Sequence, residues 1–297
     1  MLHFLHNWFE KDDRRMRAID LGGHSGCKIL LYKGKNDKKF VRKISASISY
    51  NTRLEKQCKK QETYWDCGMY TPKVYQKGYD DQQKFFFDME YIQGITLSQY
   101  IKTISVSNIQ GLIDHITKPI LLEQQTFIPE TQSVFLSKIE QVKGSTKCRY
   151  WSSAVESMFE TLEKHDWGRI PASGCHGDLT FENIIISGEK AYYIDFLDSF
   201  FDSWVLDFGK LLQDAQAMWS YRNEAEINTN TLIRLHIFRD LLREKTQSVI
   251  PGVEKELSFS LLLHLARVYP YVTDQKIFRF LDKKVSLTLD SLREDKI

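Results

Sequence analysis

Residues 175–196, CHGDLTFENIIISGEKAYYIDF, constrain the architecture more tightly than any other stretch of the chain. Residues 184–186 and 191–194 are short apolar runs of β-prone side chains, and Ser187-Gly188-Glu189-Lys190 between them has turn composition. The pattern predicts an antiparallel hairpin. Pairing the two runs brings Asn183, just before the first, to the same end as Asp195, just after the second. Residues paired in such a ladder lie roughly 5 Å apart at Cα. Asp178 stands five residues before Asn183, on the loop leading in.

An amide and a carboxylate at that separation suit a shared Mg2+, which takes oxygen ligands and commonly phosphate oxygens as well. Asp178 is then placed to accept a proton from an attacking hydroxyl. His176, on the same loop beside Gly177, is expected to order it by hydrogen bonding rather than to act as a base. The constellation reads as phosphoryl transfer.

At 297 residues the chain can bury a sizeable core, in one large domain or in two lobes. Its 42% hydrophobic and 27% charged residues are the composition of a globular protein, not a disordered one. A net charge of +2 gives no field strong enough to argue for nucleic acid or a membrane surface as partner. Five cysteines, an odd number with no CxxC spacing, point to free thiols in a reducing cytoplasm rather than to disulfides or zinc. No apolar run reaches 18 residues, so no membrane span is expected. Residues 1–15 have too short an apolar run and too many polar residues for a signal peptide; residues 1–10 read as a first helix or strand, or as a short amphipathic docking segment.

Before the hairpin the chain changes character once. Residues 18–21, 28–32 and 39–44 read as strands separated by a Gly-rich turn (22–26) and a charged one (33–38). Residues 51–67 carry a helical pattern, with Gly68 as its stop and Pro72 beyond. Two more strands, 73–77 and 84–91, are joined by Gly78-Tyr79-Asp80-Asp81. From Gln93-Gly94 onward helical spacing dominates, at 96–103, 108–122, 150–165, 204–222, 229–247, 254–269 and 275–293. The expected organisation is an N-terminal β-rich lobe over residues 1–93 and a helical lobe over 94–297.

The N-terminal part carries its own candidates. Gly22-Gly23-His24-Ser25-Gly26 suits either a plain hairpin turn or a backbone nest for phosphate oxygens, with the Ser25 hydroxyl as a possible extra donor. Alternation places Lys43 on the same strand face as Val41. There it stands as an exposed edge lysine or as a phosphate ligand held by a carboxylate. Glu62 on the following helix is the first choice for that carboxylate and Glu55 the second.

Taken in order, these residues resemble the aminoglycoside phosphotransferase and choline kinase family. HGDLTFENII followed by IDF carries the resemblance, with an echo in DSWVLDFGKLL; the Gly-rich turn, Lys43, Glu62 and DMEYIQG at 88–94 agree in order over residues 17–220. The resemblance implies an α+β, protein-kinase-like two-lobed fold, with a small antiparallel sheet and one helix in the first lobe and a mainly helical second lobe. It implies ATP or GTP and Mg2+ as cofactors and a small-molecule hydroxyl as acceptor. Asp178 looks like the base that orients the acceptor, and Asn183 and Asp195 like the metal ligands. Lys43, with Glu62 as its partner, looks like the phosphate-binding lysine, and Gly22, Gly23, Ser25 and Gly26 like the loop over the phosphates. The hinge receiving the adenine would comprise Glu90, Tyr91 and Ile92.

Asp207-Phe208-Gly209 spells the metal-binding triplet of protein kinases, yet it follows no strand and opens an amphipathic run. Asp207 is therefore expected to brace the catalytic loop. Asp198, Trp204, Trp219 and Tyr221 follow the metal segment and are candidates for the acceptor pocket, where aromatics beside acids suit a choline-like cation; the alternative is ordinary core packing. Leu197 stands where many relatives carry a second acid, and Leu179-Thr180-Phe181-Glu182 lacks the His-Pro-Gly type segment of antibiotic kinases. A sugar, amino sugar or choline-like alcohol, as in a cell-envelope precursor, is the expected acceptor. The rival readings are a protein kinase, which lacks an Ala-Pro-Glu-like segment here, and a nucleotide-binding pseudokinase that regulates or scaffolds.

Overall fold

The computed structural model describes residues 17–22, 26–33, 38–66, 69–121, 125–250 and 252–294. Residues 1–10, Gly23, His24, Ser25 and Gly68, each singled out above, and Cys67, one of the five cysteines, lie outside the described residues. The chain divides into two compact units. One runs to Gly94 and takes in Ser187–Asp198; the other comprises Ile95–Ile186 and Ser199–Ile297.

The first unit is built on a five-stranded antiparallel sheet of order β1-β2-β3-β5-β4. Its strands are β1 (Arg17–Asp20), β2 (Lys28–Lys33), β3 (Lys39–Ile44), β4 (Val74–Tyr79) and β5 (Phe85–Glu90). Helix α1 (Asn51–Asp66) packs against it, closing a core of Cys27, Leu54, Cys58, Phe85 and Phe87. Asn51 fastens the start of this helix to the sheet. Its amide donates to the Gln83 carbonyl at 2.8 Å, and its oxygen accepts from the Phe85 NH at 2.9 Å. The returning segment contains β8 (Lys190–Tyr193). It belongs here because the Tyr193 NH bonds the Tyr70 carbonyl at 2.9 Å and Phe196 stacks on Tyr64 at 5.2 Å.

In the second unit β6 (Ile95–Thr96) pairs antiparallel with β7 (Ile184–Ser187), Ile95 facing Ile186. Thr96 then caps α2 (Leu97–Tyr100) in a capping box with Gln99. The helices that follow are α3 (Ile109–Leu121), α4 (Thr131–Ser145), α5 (Ser153–Glu163), α6 (Trp204–Ala215), α7 (Thr229–Val249), α8 (Glu254–Ala266) and α9 (Gln275–Glu294). Helix α6 is buried along its whole length except at Lys210, and α8 is buried from Glu256 onward. These two helices pack together as the centre of the unit. No described helix is long and apolar enough to cross a membrane.

The fold class is the expected one, with local differences, among them that Gly78 and Tyr79, read as turn residues, end β4 and that the helix read over 96–103 covers Leu97–Tyr100. The turn between β7 and β8 is tighter than its four-residue signature, with Gly188 at φ +60° at its tip. The helix read over 204–222 stops at Ala215; Met218 sits in the left-handed region at φ 62°, and a separate 3-10 turn covers Trp219–Tyr221. Helix α4 is an addition. It buries Phe135, Ile139 and Val142 at helical spacing inside an otherwise polar stretch.

Candidate active site

In the first unit two candidates meet. Lys43, only 3% exposed, sits on β3 opposite Ile29 and Phe87 and sends its ammonium to the Asp195 carboxylate and, at 3.2 Å, to Gln57 Oε1. A buried ammonium needs such compensation, since desolvating an unpaired charge costs several kcal/mol. Asp195 follows β8 in the left-handed region at φ 62°, a conformation that costs a non-glycine residue about 1 kcal/mol or more and that Asp tolerates better than most. Arg42, on the opposite face, is held by both oxygens of Asp88 at 2.6 and 2.9 Å.

The expected Lys43–Glu62 pair does not form. Glu62 bonds Lys77 at 2.7 Å on the exposed side of α1, and Glu55 takes the hydroxyl of Tyr79. The position on α1 that reaches Lys43 is Gln57, 3% exposed and bonded in turn to the Tyr50 hydroxyl at 3.3 Å. Helical phase decides this. Residues 55 and 62 lie seven apart on one outward stripe, while 54, 57, 58 and 61 face the sheet. Only the burial pattern of a folded helix could have shown that a neutral amide takes the inner place.

Gly22 and Gly26 both have positive φ, at +70° and +74°, where an added Cβ is strained. The Gly22 NH is held by Asp20 at 2.9 Å. At the end of β5 the Glu90 NH bonds the Lys73 carbonyl at 2.9 Å, and the chain leaves the sheet at Tyr91, whose ring lies 5.5 Å from the Lys39 ammonium. Ile92 is half-buried. Asp198 forms an exposed ion pair with Lys56 at 3.4 Å.

The second unit gathers the loop residues around helix α6. Asp207, fully buried, accepts from the backbone NH of His176 at 2.5 Å and of Gly177 at 2.8 Å. His176 is buried, and its Nδ1 accepts from the Asp178 NH at 3.2 Å. Asp178 keeps a quarter of its side chain exposed and is bonded on both sides, by Lys210 Nζ at 3.0 Å and by Asn183 Nδ2 at 3.2 Å. Burial alone would raise its carboxyl, but the Lys210 ammonium outweighs burial, assisted by His176 and Arg267, and holds it below the usual carboxylate range. Asp178 therefore stands ionised at neutral pH, presenting a carboxylate and not an acid.

Asp214, also fully buried, accepts from the Phe181 NH at 2.7 Å and from the Ser220 NH and hydroxyl at 2.9 and 2.7 Å. Lys210 and Asp214 are site residues that the sequence reading missed. Their signal was present: 207, 210 and 214 lie at i, i+3 and i+7, one face of a helix.

The acceptor candidates fare unevenly. Trp204 is fully buried against Phe208 and offers no surface to a ligand. Tyr221 is buried with its hydroxyl on the Ser98 carbonyl at 2.7 Å. Both are core residues. Trp219 is half-buried, with the Arg222 guanidinium 4.2 Å from its ring centre.

The donor chemistry fits Mg2+. The Asn183 amide directs its NH2 to the carbonyl and side chain of Asp178, at 2.8 and 3.2 Å, which leaves its Oδ1 as an oxygen donor. Asp195 offers a carboxylate. Among the described residues no three His, Cys, Asp or Glu side chains gather into a closed metal cage. Each of these oxygens is of the kind a hard cation takes beside water and phosphate; a thiolate- or imidazole-seeking metal would choose neither.

No protein-family model and no curated protein matches the chain. Solved structures do. A thermostable mutant of aminoglycoside phosphotransferase APH(4)-Ia, in ternary complex with ADP and hygromycin B, is 11% identical, covering 95% of this chain and 96% of its own, at a TM-score of 0.60. The choline kinase LicA from Streptococcus pneumoniae is 16% identical over 97% and 99% of the two chains, at 0.56. A choline kinase from Cryptosporidium parvum Iowa II is 10% identical over 97% and 92%, at 0.58. The fold is thus the one shared by these small-molecule kinases.

Proposed function

We propose that this chain is a Mg2+- and nucleoside-triphosphate-dependent phosphotransferase, a kinase acting on a hydroxyl of a small molecule. The observation that carries the reading is Asp178, a carboxylate kept ionised by Lys210 and flanked by the Asn183 amide. In the transfer the acceptor oxygen bonds to the γ-phosphorus, and the bond from that phosphorus to the bridging oxygen breaks. The electron pair leaves on the nucleoside diphosphate, and the hydroxyl proton passes to Asp178. Little covalent help is asked of the protein, so positioning and charge neutralisation supply most of the rate.

Lys43 would meet the nucleotide phosphates under the turn at residues 22–26, with Gln57 rather than Glu62 as its helix partner. Backbone groups of Glu90, Tyr91 and Ile92 would receive the base. Bound Mg2+ would neutralise charge on the phosphates, with Asn183 and Asp195 each supplying one oxygen. Residues 1–93 would then bind the nucleotide, and 94–297 would carry the catalytic and metal-binding loops and the acceptor site. ATP or GTP is the donor, and the reducing cytoplasm that supplies it suits the free thiols of Cys27, Cys58, Cys148 and Cys175.

For the acceptor, a sugar or amino sugar is favoured over a choline-like alcohol. Trp204 and Tyr221 are buried and the Arg222 guanidinium lies over the Trp219 ring, which takes these three candidates away from a quaternary ammonium.

The test is consumption of ATP and of GTP with Mg2+ across a panel of sugars, amino sugars, amino alcohols and aminoglycosides, comparing wild type with Asp178→Ala. Acceptor-dependent turnover that the substitution abolishes is the expected result. Nucleotide binding without turnover on any acceptor would favour a pseudokinase, and transfer to protein alone a protein kinase.

A further inference from the structure

We infer that Lys210 is a positioning residue of the transfer, the side chain on α6 that fixes where the Asp178 carboxylate points. The inference rests on the phosphotransferase reading and deepens it. Helix α6 is a buried helix, and Lys210 is its one residue that is not fully covered. A lysine in such a helix is retained at a cost unless its ammonium has a partner. Its partner is Asp178 at 3.0 Å, with the lysine side chain 14% exposed and the aspartate 25%.

The same helix face grips the catalytic loop at two further points. One turn before Lys210, Asp207 holds the backbone of His176 and Gly177; one turn after it, Asp214 holds the Phe181 NH. The three contacts differ in kind. Asp207 and Asp214 bind backbone, which fixes the path of the loop. Lys210 binds the Asp178 side chain, which fixes the direction of the carboxylate. With Lys210 on Oδ1 and Asn183 on Oδ2, rotation of the carboxylate is stopped from both sides while a lone pair on each oxygen stays available to a hydroxyl. Around the pair, the loop contributes His176, α8 contributes His264, and Arg267 follows at its end.

Two measurements test this, one of which needs no acceptor. In the first, thermal unfolding is followed for wild type, Lys210→Met, Asp178→Asn and the double variant. A mutual contact predicts that the double variant loses less melting temperature than the two single losses added together. Strict additivity overturns the inference. In the second, on the acceptor identified by the panel, Lys210→Met is expected to lower kcat about tenfold to a hundredfold, as misplacement of a reacting group does. Nucleotide affinity should be unchanged, the loss should not multiply with that of Asp178→Asn, and Lys210→Arg should restore most of it. A nucleotide affinity that falls tenfold with kcat preserved would make Lys210 a phosphate ligand instead and overturn the inference. So would full kcat in Lys210→Met. Should Lys210→Met fail to fold, Lys210→Gln takes its place in both measurements. If no acceptor turns over but the unfolding losses are non-additive, the contact stands and the phosphotransferase reading falls.

Discussion

At the scale of single residues, each unit holds charged side chains at or near its interior, each with a named partner. Lys43 has Asp195, Asp178 has Lys210, and Asp207 has two backbone NH groups. Asp214 is different. Burial pushes its carboxyl up to about 6, the bonds from Phe181 and Ser220 opposing only part of that rise. Because the folded value lies above the unfolded one of 3.8, the folded protein retains this proton between about pH 4 and 6 while the unfolded chain releases it. Its contribution to stability is therefore fully present below about pH 4 and lost as pH rises through 6. The difference between the two values corresponds to roughly 3 kcal/mol. Asp214→Asn removes the titration but turns an NH2 toward at least one of the three donors. Denaturant unfolding should show the variant destabilised at pH 4, with the gap to wild type narrowing by a few kcal/mol by pH 7. A gap independent of pH would show that Asp214 titrates alike in both states.

At the scale of elements, α6 against α8 decides how the loop is held. The triplet Asp207-Phe208-Gly209 has three separate uses there: Asp207 braces the loop, Phe208 fills the core, and Gly209 lets α8 approach. A Cβ on Gly209 would stand 2.1 Å from Ser260 Oγ and 2.8 Å from Ser260 Cβ. No rotamer of Ser260 moves its Cβ, so one helix must shift. Gly209→Ala should lower stability by about 1–3 kcal/mol in denaturant unfolding, the usual cost of overpacking. Adding Ser260→Gly should recover part of the loss, and a single variant as stable as wild type would contradict the close approach. This contact was not legible beforehand. A glycine in a helical pattern reads as a weakness of the helix, and its reason lies on another element 51 positions away. The hairpin, by contrast, was legible almost residue for residue, because strand alternation and turn chemistry are local. Helix α4 escaped for the opposite reason: Phe135, Ile139 and Val142 are too few, among polar neighbours, to outweigh a loop composition until the core they enter is known.

At the scale of the whole molecule, the first unit is discontinuous, taking Ser187–Asp198 from the middle of the chain and with it Asp195. If this protein takes nucleotide through Lys43, MgATP should raise the wild-type melting temperature with rising concentration, by mass action on the folded state. Lys43→Met should abolish most of that rise, whereas Asp178→Ala should keep it. A shift of equal size in Lys43→Met would remove Lys43 from the nucleotide site. The order of the strands and of most helices, and the hairpin that ends at Tyr193, were contained in the sequence. They depend on periodicity and on turn residues acting over a few positions. The partners of the buried charges were decided only in the folded protein. Gln57 in place of Glu62, and Lys210 beside Asp178, follow from which face of a helix turns inward, and that is fixed by packing between segments far apart in the chain.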